Sequence, residues 1–181
     1  MRISTPRGAI LNIVITVVAI LASCISVSTQ TKVYTSPNNH LKALVIPVGG
    51  KGYETYESRV EIRSSWGRLI RKRSFESKDY EHGEGVDHAE WSPDGQFFIF
   101  NTSRTGGHQP WHVATYFYRL KDNKIYSVDA FVGPIVSDFR LIGRNKLVVN
   151  RISSDTNIEK EPVMIRLGAL LLRRAETIRC K

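Results

Sequence analysis

The chain has 181 residues, with 26 Lys and Arg against 17 Asp and Glu, a net charge of +9 and two cysteines. Cys24 and Cys180 cannot supply a disulfide framework, so the fold must rest on a hydrophobic core. The length suits one domain with a sizeable core and does not suggest two.

Arg2 and Arg7 are the only charges before Lys32, and between them and it runs an uncharged apolar stretch from Ala9 to Val27. That is the pattern of an export signal, with the positive end held in the cytoplasm while the remainder passes outward. Leu21-Ala22-Ser23-Cys24 resembles the bacterial lipobox: the small residues let a peptidase grip the extended backbone, and the thiol supplies a thioether link to a diacylglyceryl group. The expectation is that residues 1–23 are removed, that Cys24 is lipidated, and that residues 24–32 tether an extracytoplasmic body to a membrane of the bacterial cell envelope, in the periplasm or at the cell surface. Two alternatives stay open. Residues 9–27 are near the roughly 20 residues that span a bilayer and could remain as an anchor, and cleavage near Ser26 or Ser28 would release a free protein. Loss of Arg2 and Arg7 with the signal leaves 24 basic against 17 acidic residues, a charge of +7. An exported basic body meets anionic headgroups, wall polymers or acidic proteins, which argues against nucleic acid as a partner. A lipidated Cys24 would leave Cys180 an unpaired thiol.

After Lys32 the sequence breaks into short apolar or alternating runs separated by Gly, Pro, Asn and Asp, as antiparallel sheets require. Strands are expected at Leu41–Val48, Arg59–Arg63, Phe97–Thr102, Val113–Leu120, Lys124–Val128, Phe139–Ile142, Lys146–Ile152 and Val163–Leu167. Arg59-Val60-Glu61-Ile62-Arg63 is the clearest, its valine and isoleucine facing one way and its charges the other. Arg68–Arg73 reads as a charged edge. Residues 167–178 have helical propensity, but their place after a strand suggests a last strand.

The turns repeat. Ser36-Pro37-Asn38-Asn39 precedes one apolar run and Ser92-Pro93-Asp94-Gly95 another, with a degenerate copy at Ile142-Gly143-Arg144-Asn145. In the first two, proline presets φ and the residues after it tolerate the left-handed conformation that reverses the chain. Trp91-Ser92-Pro93-Asp94-Gly95, Phe100, Ser103-Arg104-Thr105-Gly106-Gly107 and Tyr116-Phe117-Tyr118 together resemble the repeat of Tol-type β-propellers, which are WD-like repeats of exported proteins. The match is good over residues 89–128, fair over 33–73 and poor over 136–178. The resemblance implies a domain over residues 33–178 of four-stranded antiparallel meanders, about three propeller blades, incompletely closed. It also implies a protein-binding platform, since the catalytic domain some family members append has no counterpart here.

Two clusters could carry chemistry. His82, His88, His108 and His112 stand within 31 residues of one another, among Glu81, Glu84, Asp87 and Glu90, and imidazole with carboxylate suits zinc. Yet no pair has a recognised ligand spacing, and Pro110 prevents His108 and His112 from sharing a helical face; a polar loop is the plainer reading. The second cluster, Arg104, His108, Gln109, Trp111 and His112, surrounds Gly106-Gly107 on a loop expected to bind a ligand. Arg68, Arg71, Lys72 and Arg73 beside Trp66 form the densest basic patch, which in a tethered protein could rest on anionic lipid. Val48-Gly49-Gly50-Lys51-Gly52 lacks the glycine spacing and hydroxyl residue of a phosphate loop and reads as a hairpin connection. The sequence contains no nucleophile elbow, no His-Glu-x-x-His and no calcium-loop pattern. The sequence therefore suggests a tethered binding or scaffold protein of the cell envelope, contacting a protein partner and without catalysis of its own. A metal-binding protein or metal-dependent hydrolase built on the His82–His112 cluster is the alternative.

Overall fold

The structure, a computed structural model, describes residues 30–49, 57–104, 112–152 and 160–170. Their strands form three antiparallel sheets in chain order. The first holds β1 (Lys32–Thr35), β2 (Leu41–Pro47), β3 (Ser58–Ser64) and β4 (Leu69–Ser74). The middle sheet holds β5 (Glu84–Trp91), β6 (Phe97–Arg104), β7 (Ala114–Arg119) and β8 (Lys124–Ser127). The last holds β9 (Arg140–Ile142), β10 (Lys146–Ile152) and β11 (Lys160–Arg166), with a short helix α1 (Asp129–Val132) between β8 and β9. Each strand pairs with the next, so each sheet is a meander, and the three resemble propeller blades that do not close into a ring.

The all-β expectation holds, with local corrections. The last sheet has three strands among the described residues. Residues 167–170 are helical, not strand, the helix propensity of Leu167, Ala169 and Leu170 outweighing the cost of Gly168. Residues 84–91, expected within a polar loop, form β5; a bulge between Val86 and Ala89 shifts its phase and hides the alternation.

The sheets stack with the middle one between the others. On β6, Phe98 and Phe100 face the first sheet and meet Val60, Ile62 and Ala43, while Phe97 and Ile99 face the last sheet and meet Leu147, Val149 and Ile165. Because both faces of β6 are covered, Phe97-Phe98-Ile99-Phe100 is buried without alternation. Burial of each such side chain contributes about 1.5–3 kcal/mol. Aromatic rings join the layers: Phe100 lies 5.5 Å from Tyr116 and 5.9 Å from Phe75. Trp91 packs 5.1 Å from Phe98 and donates through Nε1 to the Tyr34 carbonyl at 2.9 Å, tying β5 to β1.

The paired turns superpose bond for bond. Ser36 Oγ donates to Asn38 Oδ1 and accepts from Leu41 N, and Ser92 Oγ donates to Asp94 Oδ1 and accepts from Phe97 N. Asn39 and Gly95 occupy the left-handed region at φ 59° and 67°. Gly95 lies against Pro37 and Asn38, so the two turns sit side by side at one end of the stack. The β3–β4, β7–β8 and β9–β10 turns share this turn end. At the opposite end, the loop end, β2, β6 and β10 finish and β3, β7 and β11 start, and the links between sheets run there too.

Candidate functional site

The loop end collects the sequence-predicted residues that are described. It is organised by carboxylates that accept hydrogen bonds from connecting segments. Glu57, fully buried before β3, accepts from Ser77 N at 2.8 Å, Ser77 Oγ at 2.6 Å and Gly83 N at 2.6 Å. This closes the β4–β5 connection over the first sheet. A Cβ at Gly83 would lie 2.4 Å from both the Glu57 carboxyl and the Phe75 carbonyl, so the approach requires glycine.

Each described histidine of the proposed cluster has its own aspartate. His82 Nδ1 lies 2.6 Å from Asp79 Oδ2, His88 Nδ1 2.8 Å from Asp138 Oδ1, and His112 Nε2 2.7 Å from Asp129 Oδ1. Asp79 is exposed, and hydrogen bonds from Ser77, then from the Glu81 amide and His82, hold its carboxyl well below the usual carboxylate range. Asp138 Oδ1 also accepts from Asn101 Nδ2 at 2.7 Å and Phe139 N at 2.7 Å, while His88 stacks flat on Phe139 at 4.4 Å. Asp129 accepts from Thr115 N at 2.9 Å and Ile135 N at 3.2 Å, fixing the start of α1 against β7.

The three described histidines thus stand apart, His82 on the β4–β5 connection, His88 on β5 and His112 just before β7. Among the described residues no three His, Cys, Asp or Glu side chains are placed to hold a metal ion. His108, Gln109 and Trp111 lie outside the described residues, as do Cys24, Cys180 and residues 1–23 and 9–27. Of the binding-loop set, Arg104 ends β6, 3.9 Å from Glu84, and His112 precedes β7, so the two flank the β6–β7 connection. Asn101, the asparagine of an Asn-Thr-Ser glycosylation sequon, is buried on β6 and already bonded to His88 N and Asp138, so the folded chain does not present it.

Chemically, a carboxylate against Nδ1 of His82 and His88 favours a hydrogen there and leaves Nε2 as a hydrogen-bond acceptor. The loop end can therefore hold polar ligands by directed hydrogen bonds. The aspartates that orient the histidines were not foreseen from the sequence; only Asp79, three residues before His82, gave a local signal.

Two cavities lie elsewhere. One of about 560 Å³ sits at the turn end among Asp94, Gln96, Arg119, Lys121 and Asn145. A groove of about 400 Å³ lies between α1 and β11, lined by Phe131, Val132, Val163, Ile165 and Arg166. Neither includes a residue named above as a candidate ligand. Among the described residues no helix is long and apolar enough to cross a membrane.

No family model and no curated protein matches the chain. Among solved structures it is similar to a candidate conserved lipoprotein of Clostridium novyi, at TM-score 0.46 and 15% identity over 80% of this chain and 91% of that one. It is similar to a prolyl endopeptidase at TM-score 0.43 and 14% identity, over 76% of this chain and 18% of that one. A protein from Lactobacillus plantarum gives TM-score 0.40 and 14% identity, over 77% of this chain and 42% of that one. The chain therefore spans most of the Clostridium protein, but less than half of the Lactobacillus protein and less than a fifth of the prolyl endopeptidase.

Proposed function

We propose that the chain is an exported, membrane-tethered binding protein of the bacterial envelope, with Tol-type repeats as its scaffold, Cys24 as its lipid attachment and the loop end as its contact surface for a protein partner. The observation that carries this reading is the loop end itself. Glu57, Asp79, Asp129 and Asp138 clip the connections between strands, so that Arg104, His82, His88 and His112 stand on held segments. A surface ordered before contact loses less entropy on binding. The tether is supported by Arg2, Arg7, the uncharged run and Leu21-Ala22-Ser23-Cys24.

Photo-crosslinking side chains placed at Arg104 and at Lys121, on opposite ends of the middle sheet, test the surface in the intact envelope. Protein adducts from position 104 and none from 121 are expected; the reverse would reject the reading. The intact mass of the purified chain tests the tether independently. A diacylglyceryl-modified N-terminal Cys24, absent from Cys24→Ser, is expected, whereas an intact Met1 would make residues 9–27 the anchor.

A further inference from the structure

The turn between β3 and β4 places Trp66 at its tip with 95% of its surface exposed, and Leu69, where β4 begins, is 46% exposed. The turn is well fastened: Ser65 N donates to the His40 carbonyl, Gly67 N to the Ser64 carbonyl, Arg68 N to Ser64 Oγ, and Arg63 Nη1 to the Gly67 carbonyl. Gly67, at φ 84°, permits the reversal. A held turn that aims an indole into solvent gains no stability from burying that indole.

The surface beside it is the outer face of the first sheet. Register puts Lys42, Arg63 and Leu69 in one row and Val33, Leu44, Glu61 and Lys72 in the next, with Ile46 and Arg59 beyond. These alternate with the buried Leu41, Ala43, Val45, Val60 and Ile62, so they point away from the core. Glu61 is the acid in this set, buried between Arg59 at 3.0 Å and Arg63 at 2.6 Å. The face is thus apolar and cationic together, with a tryptophan at its rim. Arg73 is not part of it: its guanidinium lies 4.3 Å above the Tyr116 ring, turned inward.

We propose that this face and Trp66 dock on an anionic lipid bilayer, the indole seated among the headgroups and Lys42, Lys72 and Arg63 against lipid phosphates. Tryptophan favours that interfacial depth, and cations there are drawn to acidic lipid. The inference rests on the tethered reading and deepens it, because a tether raises the effective concentration of this face at the bilayer surface. The described chain begins at Gln30, just before β1 of this same sheet, and the six residues from Cys24 to Thr29 can reach at most about 20 Å. The anchor would therefore hold the first sheet, not the last, nearest the membrane. A second copy suits the face less well, since the outer face of the last sheet carries Lys146 and Arg166 beside Val148 and Met164 and would set like charges together.

Full-length chain mixed with phosphatidylcholine vesicles of brominated acyl chains, with and without phosphatidylglycerol, tests the proposal. Emission from Trp66 is the difference between wild type and Trp66→Phe. Quenching of that emission is expected in phosphatidylglycerol vesicles, with loss at high salt and in Lys42→Glu/Lys72→Glu. A chain that floats with the vesicles while Trp66 stays unquenched overturns the docking and leaves the tether standing. A chain that fails to float on pure phosphatidylcholine defeats the tether, and flotation with phosphatidylglycerol then decides the docking alone: its presence supports the face, its absence overturns it. Trp66 already shielded from acrylamide before lipid is added means a second copy covers the face, and also overturns the proposal.

Discussion

The first and middle sheets share strand order and the chemistry of their first turns, yet one has a single apolar buried face and the other has two. β2 and β3 of the first sheet alternate, Val60 and Ile62 inward with Arg59, Glu61 and Arg63 outward, whereas β6 buries Phe97 through Thr102 in succession. What differs is position in the stack. Turn chemistry sets the blade, and the presence of neighbours on each side sets how apolar its strands are.

The largest expected effect exploits that contrast directly. Phe100→Ala, in a residue with no exposure and ring contacts to Phe75 and Tyr116, should cost about 3–5 kcal/mol in chemical denaturation. Leu44→Ala, on the outer face of the first sheet, should cost about 1 kcal/mol or less. Comparable losses would mean that the outer face is covered in solution.

Glycines sharpen the comparison between the two ends of the stack. Gly83→Ala drives a methyl group into the Glu57 carboxyl and the Phe75 backbone and should cost about 3 kcal/mol. Gly67→Ala meets nothing within 4 Å and should cost only the left-handed backbone penalty of about 1 kcal/mol. Denaturant midpoints measured on the two variants decide whether the loop end is as tightly built as its hydrogen bonds indicate.

Legibility in the sequence followed the same division. Lys146–Ile152 has the bounds of β10, and β3 and β6 were readable because alternation and a phenylalanine run are local patterns. β5 was not, since Glu84, Asp87 and Glu90 dilute its apolar content and the bulge after Val86 breaks its period. α1 is too short at four residues to show helical spacing. The site was less readable still. His88 and His112 are chemically conspicuous, but their aspartates stand 50 and 17 residues away, brought near only by the packing of the last sheet and α1 against the middle sheet. The three described histidines of the cluster are thus each paired with a different aspartate.

The repeated turns offer a smaller, symmetrical test. Ser36→Ala and Ser92→Ala each remove a hydroxyl that donates to the Asx side chain and accepts a backbone N–H, and each should cost about 1 kcal/mol. Equal losses by thermal or chemical unfolding are expected if the turns are interchangeable parts. A markedly larger loss at Ser92 would tie the turn to the doubly buried sheet instead.

The smallest effect separates the sheets by acid. The turn of β7 into β8 is closed by Asp122, which accepts from Arg119 Nε at 3.1 Å and from the Tyr126 hydroxyl. The corresponding turn of the first sheet is closed by Arg63 on the Gly67 carbonyl, with the buried Glu61 carboxylate holding the guanidinium from the strand and not from the turn. The Arg119 hydrogen bond, opposed by slight burial and aided by Tyr126, holds the Asp122 carboxyl down at about 2. A carboxyl lowered in the folded state stabilises it above the unfolded pKa, and this contribution is lost as pH falls from near 4 through about 2. Asp122→Asn should therefore be less stable than wild type by under about 1 kcal/mol at neutral pH, as solvent-screened ion pairs are. The gap should narrow below pH 4 as the wild-type carboxyl gains its proton. Arg63→Met, which removes the corresponding contact in the first sheet, should also be less stable than wild type at neutral pH by the same measurement. A gap for Asp122→Asn that does not change with pH would mean that the turn depends on the shape of the side chain and not on its charge.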